Sequence, residues 1–145
     1  MDYRAIFEVS AAGMTLEKRR LEVATLNLAN MHSSSSSNAD AYKPTRLVAS
    51  PIAMDFSRLL LADSGAAMPM QPLTRVVQTD VSPRMVRDPG HPHADAQGFV
   101  RYPGVDQATE MISAMSALRA YEANVAAAGF ARSMATRALD IGGAR

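Results

Sequence analysis

The chain has 145 residues, with 15 basic and 14 acidic side chains, a formal net charge of +1, no cysteine and no tryptophan. Its length fits about one domain, and so even a charge balance supplies no field to hold nucleic acid, anionic lipid or an acidic substrate. The lack of cysteine removes disulfides, thiolate metal sites and cysteine nucleophiles, and leaves the chain indifferent to the redox state of its compartment.

The opening MDYRAIFEVS has no positively charged start followed by an apolar run, so no cleaved secretory signal is expected. The longest apolar run, LLLA at 59–62, is far too short to span a bilayer. Residues 2–31 contain no proline and only Gly13 as an interior weak point, which predicts a helix. Steps of roughly 100° place Phe7, Met14, Leu21 and Leu28 on one face and Val9, Ala12, Leu16 and Val23 on nearly the opposite one. Two apolar stripes require two sets of neighbours. The helix is therefore either central in a bundle or shared between its own chain and another.

The polar run SSSSSN at 33–38 has nothing apolar to bury and is expected to be a mobile loop or linker. All eight prolines then fall between Pro44 and Pro103, which argues against long helices there. Short β-like runs occur at Thr45–Ala49, Leu73–Val81, Arg84–Arg87 and Phe99–Tyr102, and predict a small antiparallel insertion. Residues 54–65 are compatible with a short helix or a loop, and 62–72 read as a loop.

From Asp106 to Ile141 a second long helix is predicted, with Asp106 as N-cap, Glu110 in the favourable first turn, and Gly142 and Gly143 as C-cap. Counting in sevens places Met111, Leu118, Val125, Arg132 and Leu139 at one seam position, and Ala114, Tyr121, Ala128 and Ala135 at another. Arg132 alone breaks the apolar series. Such a helix runs to roughly 50 Å at 1.5 Å per residue, and it needs a long partner. The fold class is thus α+β, mainly α: long terminal helices in a coiled-coil-like pair, with a small β-rich or irregular insertion between them. The plan divides into an N-terminal helix over 1–32, a Ser-rich loop over 33–41, an insertion over 42–105 and a C-terminal helix over 106–145.

The segment DPGHPHAD at 88–95 gathers Asp88, His91, His93 and Asp95, which could suggest a metal site. Its Pro and Gly residues read more simply as tight turns, with Asp88 bonding the amides that follow it. There is no GxSxG elbow, no GxGxxG and no P-loop pattern, so no enzyme, no cofactor and no small-molecule substrate is expected. Asn27 and Asn30, in NLAN, are accounted for by a helix end or a solvated face. Asn124 sits one place before Val125, where a polar group could fix register between helices.

NLAN at 27–30 resembles the Asn-Leu-Ala-Asn signature near the N-terminus of flagellar rod and hook proteins, and RAYEANV at 119–125 resembles their C-terminal Arg-x-Tyr-x-Ala-Asn helix. DPGHPHADAQGFVRYPGVD at 88–106 is similar to the corresponding stretch of the proximal-rod members of that family. Two departures stand out. MHSSSSSNADAY follows NLAN where the family usually runs through Ala and Thr-like residues toward Gly-x-x-Tyr, and Gly104 stands where Asn is common.

The resemblance implies a structural subunit of the bacterial flagellar basal body. It would be exported by the flagellar type III apparatus without a cleaved signal peptide and assembled into the periplasmic rod, where it transmits torque. Implied partners are copies of itself, other rod proteins, the basal-body ring and the export apparatus. The terminal helices would form the tube wall, with the stripes of both helices and Asn27, Asn30, Tyr121, Asn124 and Arg132 in subunit packing. A cytoplasmic export chaperone or adaptor that binds partner helices is the alternative left open by the Ala- and Met-rich helices.

Overall fold

The computed structural model describes residues 3–36, 41–50 and 73–143. The first helix, α1, spans Tyr3–Asn30 without a proline to interrupt it. Exposed pairs Arg4–Glu8 (2.9 Å) and Lys18–Glu22 (3.9 Å) lie one turn apart on its surface, where such pairs add only tenths of a kcal/mol, about 0.3–0.5. The Asn30 carbonyl closes α1 by accepting from the Ser33 amide (3.0 Å) and the Ser33 hydroxyl (2.7 Å).

The second helix, α2, spans Gln107–Gly143. Asp106 caps it as the sequence predicts: its carboxylate accepts from the Thr109 amide (3.1 Å) and from the Thr109 hydroxyl. Those bonds, the hydroxyl's first, hold the Asp106 carboxyl below its ordinary pKa. At the other end the expectation fails. Gly142 and Gly143 continue the helix instead of capping it, since glycine enters the right-handed helix as readily as the left-handed region.

α1 and α2 pack antiparallel. Gly13 lies against Asn124, while the stretch from Glu17 to Ala24 lies against Ser113 to Ala120. The buried positions of α2 recur every seven residues at Glu110, Ala117, Asn124 and Ala131, with Asn124 half-buried. Those of α1 include Ser10, Glu17 and Ala24 at the same spacing. The long helix pair of the sequence reading is present, but its contact is one residue out of phase with the expected seam. The first position of that seam, Met111, Leu118, Val125, Arg132 and Leu139, lies exposed, while Ala114, Ala128 and Ala135 of the second are half-buried and Tyr121 is exposed. One residue is about 100° of rotation, enough to swap one face of the helix for another. Small side chains let the helix axes approach closely, and the bulky ones are left outside.

Between the helices lie two separate two-stranded antiparallel sheets. β1 (Thr45–Ser50) pairs with β2 (Leu73–Gln78) from Thr45↔Gln78 to Ser50↔Leu73. β3 (Arg84–Arg87) pairs with β4 (Phe99–Tyr102) from Arg84↔Tyr102 to Arg87↔Phe99. The four predicted runs are thus strands, although β2 stops at Gln78. The readings for 54–65 and 62–72 lie outside the described residues.

The Ser run is not wholly a free linker. Ser35 is buried and its amide bonds the Arg101 carbonyl (3.4 Å), so it docks on the strand that follows the 88–98 turns, while Ser34 meets His91 and His93 within them. Hydrogen bonding, not apolar burial, anchors it, which is why hydropathy alone missed it. Buried apolar residues among those described are few and mostly small: Ala12, Ala24, Val100, Ala117 and Ala131.

Candidate subunit-packing surface

Behind the surface are two clamps that set the helices in place. Asn27 is fully buried and is the hub of the first. Its side-chain amide donates to the Thr45 carbonyl (2.9 Å), and its oxygen accepts from the Thr45 amide (3.0 Å), the Tyr42 hydroxyl (2.8 Å) and the Thr45 hydroxyl (3.4 Å). The side chain thereby supplies both halves of a backbone-like pair to the start of β1. The expectation of a helix-end or solvated asparagine does not hold for Asn27, because its partners are 15 and 18 residues away. It does describe Asn30, whose amide bonds back to the Leu26 carbonyl (2.8 Å).

The second clamp is Gly13 against Asn124. A Cβ at residue 13 would stand 2.6 Å from Asn124 Oδ1 and 2.8 Å from its Cγ and Nδ2. Asn124 is meanwhile held by its own helix, donating to the Ala120 carbonyl at 2.9 Å. It sets register by shape, filling the space that Gly13 leaves, with no hydrogen bond to α1 among the described residues. The glycine read as a weak point of α1 is where Asn124 of α2 comes against the α1 backbone.

A third contact holds the insertion. Ser34 Oγ lies 3.0 Å from His93 Nδ1 and 3.5 Å from His91 Nε2, and the His93 amide donates to His91 Nδ1 (3.0 Å). Asp88 bonds the Gly90 amide (3.3 Å), and Asp95 bonds the amides of Gln97 (3.0 Å) and Phe99 (2.8 Å). Gly98, at φ +81°, allows the chain to turn back into β4. These are the tight turns that the Pro and Gly spacing suggests, with both imidazoles engaged in joining the Ser loop to the β3–β4 hairpin.

In front of these clamps lies the apolar surface. On α2, Met111, Leu118, Tyr121 and Val125 are each between a third and a half exposed, and Leu139 is 75% exposed. Arg132 stands among them in solvent, next to the buried Ala131. A seam read inside one chain would have buried it. On α1, Phe7 and Val9 are exposed, while Met14, Leu16, Leu21, Val23 and Leu28 are half-buried. The two predicted stripes flank the Ser10–Gly13–Glu17–Ala24 contact on either side; within the second, Ala12 is buried and Val23 borders the cleft shared with α2.

The sequence reading missed a further face of α2. Ile112, Phe130 (71% exposed), Met134 and Ile141 (82%) are exposed off the Leu118 stripe, with Met115 bordering that stripe one turn from Met111 and Leu118. From Phe130 onward the spacings of four and seven residues carry a helical signal, which counting only in sevens from Met111 passes over. Contiguous apolar faces of this kind mark interaction sites in soluble proteins. No helix of the described residues is long and apolar enough to cross a membrane.

The flagellar basal body rod FlgEFG protein C-terminal family matches residues 96–141, which cover β4 and nearly all of α2. Along most of its length the chain is similar to proteins named flagellar basal-body rod protein FlgC. It is 33% identical to that of Escherichia coli O6:H1, with 94% of this chain and 96% of the relative covered. To that of Bacillus subtilis it is 32% identical, with coverage of 92% and 94%. To that of Aquifex aeolicus it is 29% identical, with 97% of each covered. With the matched helix carrying the apolar surface and the likeness running nearly end to end, the chain belongs to the flagellar basal-body rod protein FlgC family and is a structural subunit of the flagellar rod.

Proposed function

We propose that the helix pair of residues 1–32 and 106–145 forms wall material of the rod, packing its exposed stripes onto copies of itself and onto other rod proteins. The segment 42–105 stands outside that wall. The observation that carries this reading is the sorting of side chains along α2: Ala117 and Ala131, with Glu110 and Asn124, face the chain's own partner helix, and Met111, Ile112, Met115, Leu118, Val125, Phe130, Met134, Leu139 and Ile141 stay exposed. Each Leu, Met or Val buried by a neighbour contributes about 1.5–3 kcal/mol, an ample driving force across the stripe. Repeated contacts between unlike faces extend into a helical tube rather than closing into a dimer, which suits a periplasmic shaft that transmits torque. In this reading the subunit passes through the flagellar type III export apparatus, and its terminal helices gain order on assembly, as interfacial segments do.

Leu118→Asp and Val125→Asp test it. Each places a carboxylate on the outward stripe at a residue that is nearly half exposed in the single chain. Isolated basal bodies are expected to lack either variant, while the β hairpins of the purified variants keep their amide protection. Normal incorporation of both variants would refute the reading.

A further inference from the structure

Between α1, β1 and the start of α2 lies an open-sided cleft of about 540 Å³. Two glutamates line it, and as residues both are largely enclosed: Glu17 is 8% exposed and Glu110 is 7% exposed. Their situations differ. Glu17 is paired with Arg20 at 3.1 Å, one turn along the same helix. The Glu110 carboxylate has no ion pair and no hydrogen bond among the described residues; its backbone amide alone is engaged, in the first turn of α2. Its oxygens reach water through the open side of the cleft, since no described side-chain oxygen is both buried and without a partner, and the amino end of α2 favours the charge there without supplying a counter-ion.

We propose that this cleft receives an arginine or lysine side chain from a neighbouring rod subunit, with Glu110 as its counter-charge. The inference rests on the rod-subunit reading above. The walls near Glu110 are Ala24, Ser113, Ser116 and Ala117, small enough to admit a long, unbranched cation from the side. The rim is Ile112, 65% exposed, which joins the cleft to the outward apolar face that a neighbouring helix would cover. Once covered, a carboxylate in that position is destabilising unless the covering surface brings a positive charge. Arginine suits it best, since its planar fork can bond both carboxylate oxygens. Arg20, which is paired with Glu17, and Arg46, from β1, also border the cleft, and neither makes an ion pair with Glu110 among the described residues.

The test compares incorporation into basal bodies, in a motile host carrying the variant alone, with the helix content of the same purified full-length variant. Glu110→Gln and Glu110→Lys are expected to be lost from basal bodies while keeping α2. Glu110→Lys is expected to regain incorporation when a basic residue of a rod subunit is replaced by an acidic one. Ser116→Phe, which fills the cleft and leaves Glu110 in place, is expected to be lost as well. Parental incorporation of Glu110→Gln together with Ser116→Phe overturns the proposal. So does melting of α2 in purified Glu110→Gln, which would make the carboxylate a helix-stabilising group, and so does an equal loss in Arg46→Ala, which would make Arg46 its partner. Normal incorporation of Leu118→Asp would sink the rod reading itself. Loss of Leu118→Asp alone leaves that reading standing without the cleft.

Discussion

The two faces of α2 are built from different residues and answer to different neighbours. Toward α1 it presents Glu110, Ala117, Asn124 and Ala131; one residue further round it presents Met111, Leu118, Val125 and Arg132. The inner face holds helices close by being small, and gains little from burial because an alanine has little surface to remove from water. The outer face is large and apolar, and gains nothing until something covers it. A chain designed to be stable alone would place these groups the other way round. In the proposed reading the division separates two tasks: the inner face and its clamps define the shape of the subunit, and the outer faces hold the energy of assembly.

That separation can be attacked from the inner side first. Asn27→Ala removes a fully buried side chain and strands the Thr45 amide and carbonyl and the Tyr42 hydroxyl, with a loss of about 2–4 kcal/mol expected in urea unfolding of the purified chain. The same loss from a variant of the outer stripe would erase the distinction between the faces. A smaller effect is expected at the second clamp. Gly13→Ala gains helix propensity but must push Asn124 off its Ala120 bond, for a net loss of about 1 kcal/mol. Asn124→Ala in the same chain should recover most of it, and a double-mutant cycle measures that coupling; additive losses would place the conflict elsewhere.

On the outer side, Arg132 is exposed, so neither Arg132→Lys nor Arg132→Glu should shift the unfolding midpoint of the isolated chain. Basal-body incorporation should tolerate the lysine and suffer from the glutamate, where the stripe carries Arg132 against a neighbour's acidic group. Equal incorporation of both would remove Arg132 from the surface. The smallest effect concerns the cap. Because its bonds to Thr109 lower the Asp106 pKa in the folded chain, the stabilisation is present above the pKa of an unfolded aspartate and is lost as pH falls through the lower, folded value. Hydrogen exchange at residues 107–110 should therefore accelerate at acid pH in the parent, and should already be fast and pH-insensitive, after correction for intrinsic rates, in Asp106→Ala.

Much of this was legible along the chain. Both helices, the four strands, the turn chemistry of 88–98 and the Asp106 cap are local matters, settled by proline, glycine, alternation and capping residues within a few positions of each other. The seven-residue period of α2 was legible too. Its phase was not: apolar size draws the eye to Met111, Leu118 and Val125, whereas the partner helix takes the smaller face beside them. Asn27 and Glu110 escaped for a related reason. A polar residue on a helix looks solvated until the strand or cleft that encloses it is known, and Asn27 is enclosed by residues at 42 and 45, Glu110 by α1 and β1. Periodicity belongs to the sequence, since it follows from the pitch of the helix. Which face is inside belongs to the tertiary structure, since it depends on how closely two backbones approach and on what is left for the next subunit to cover.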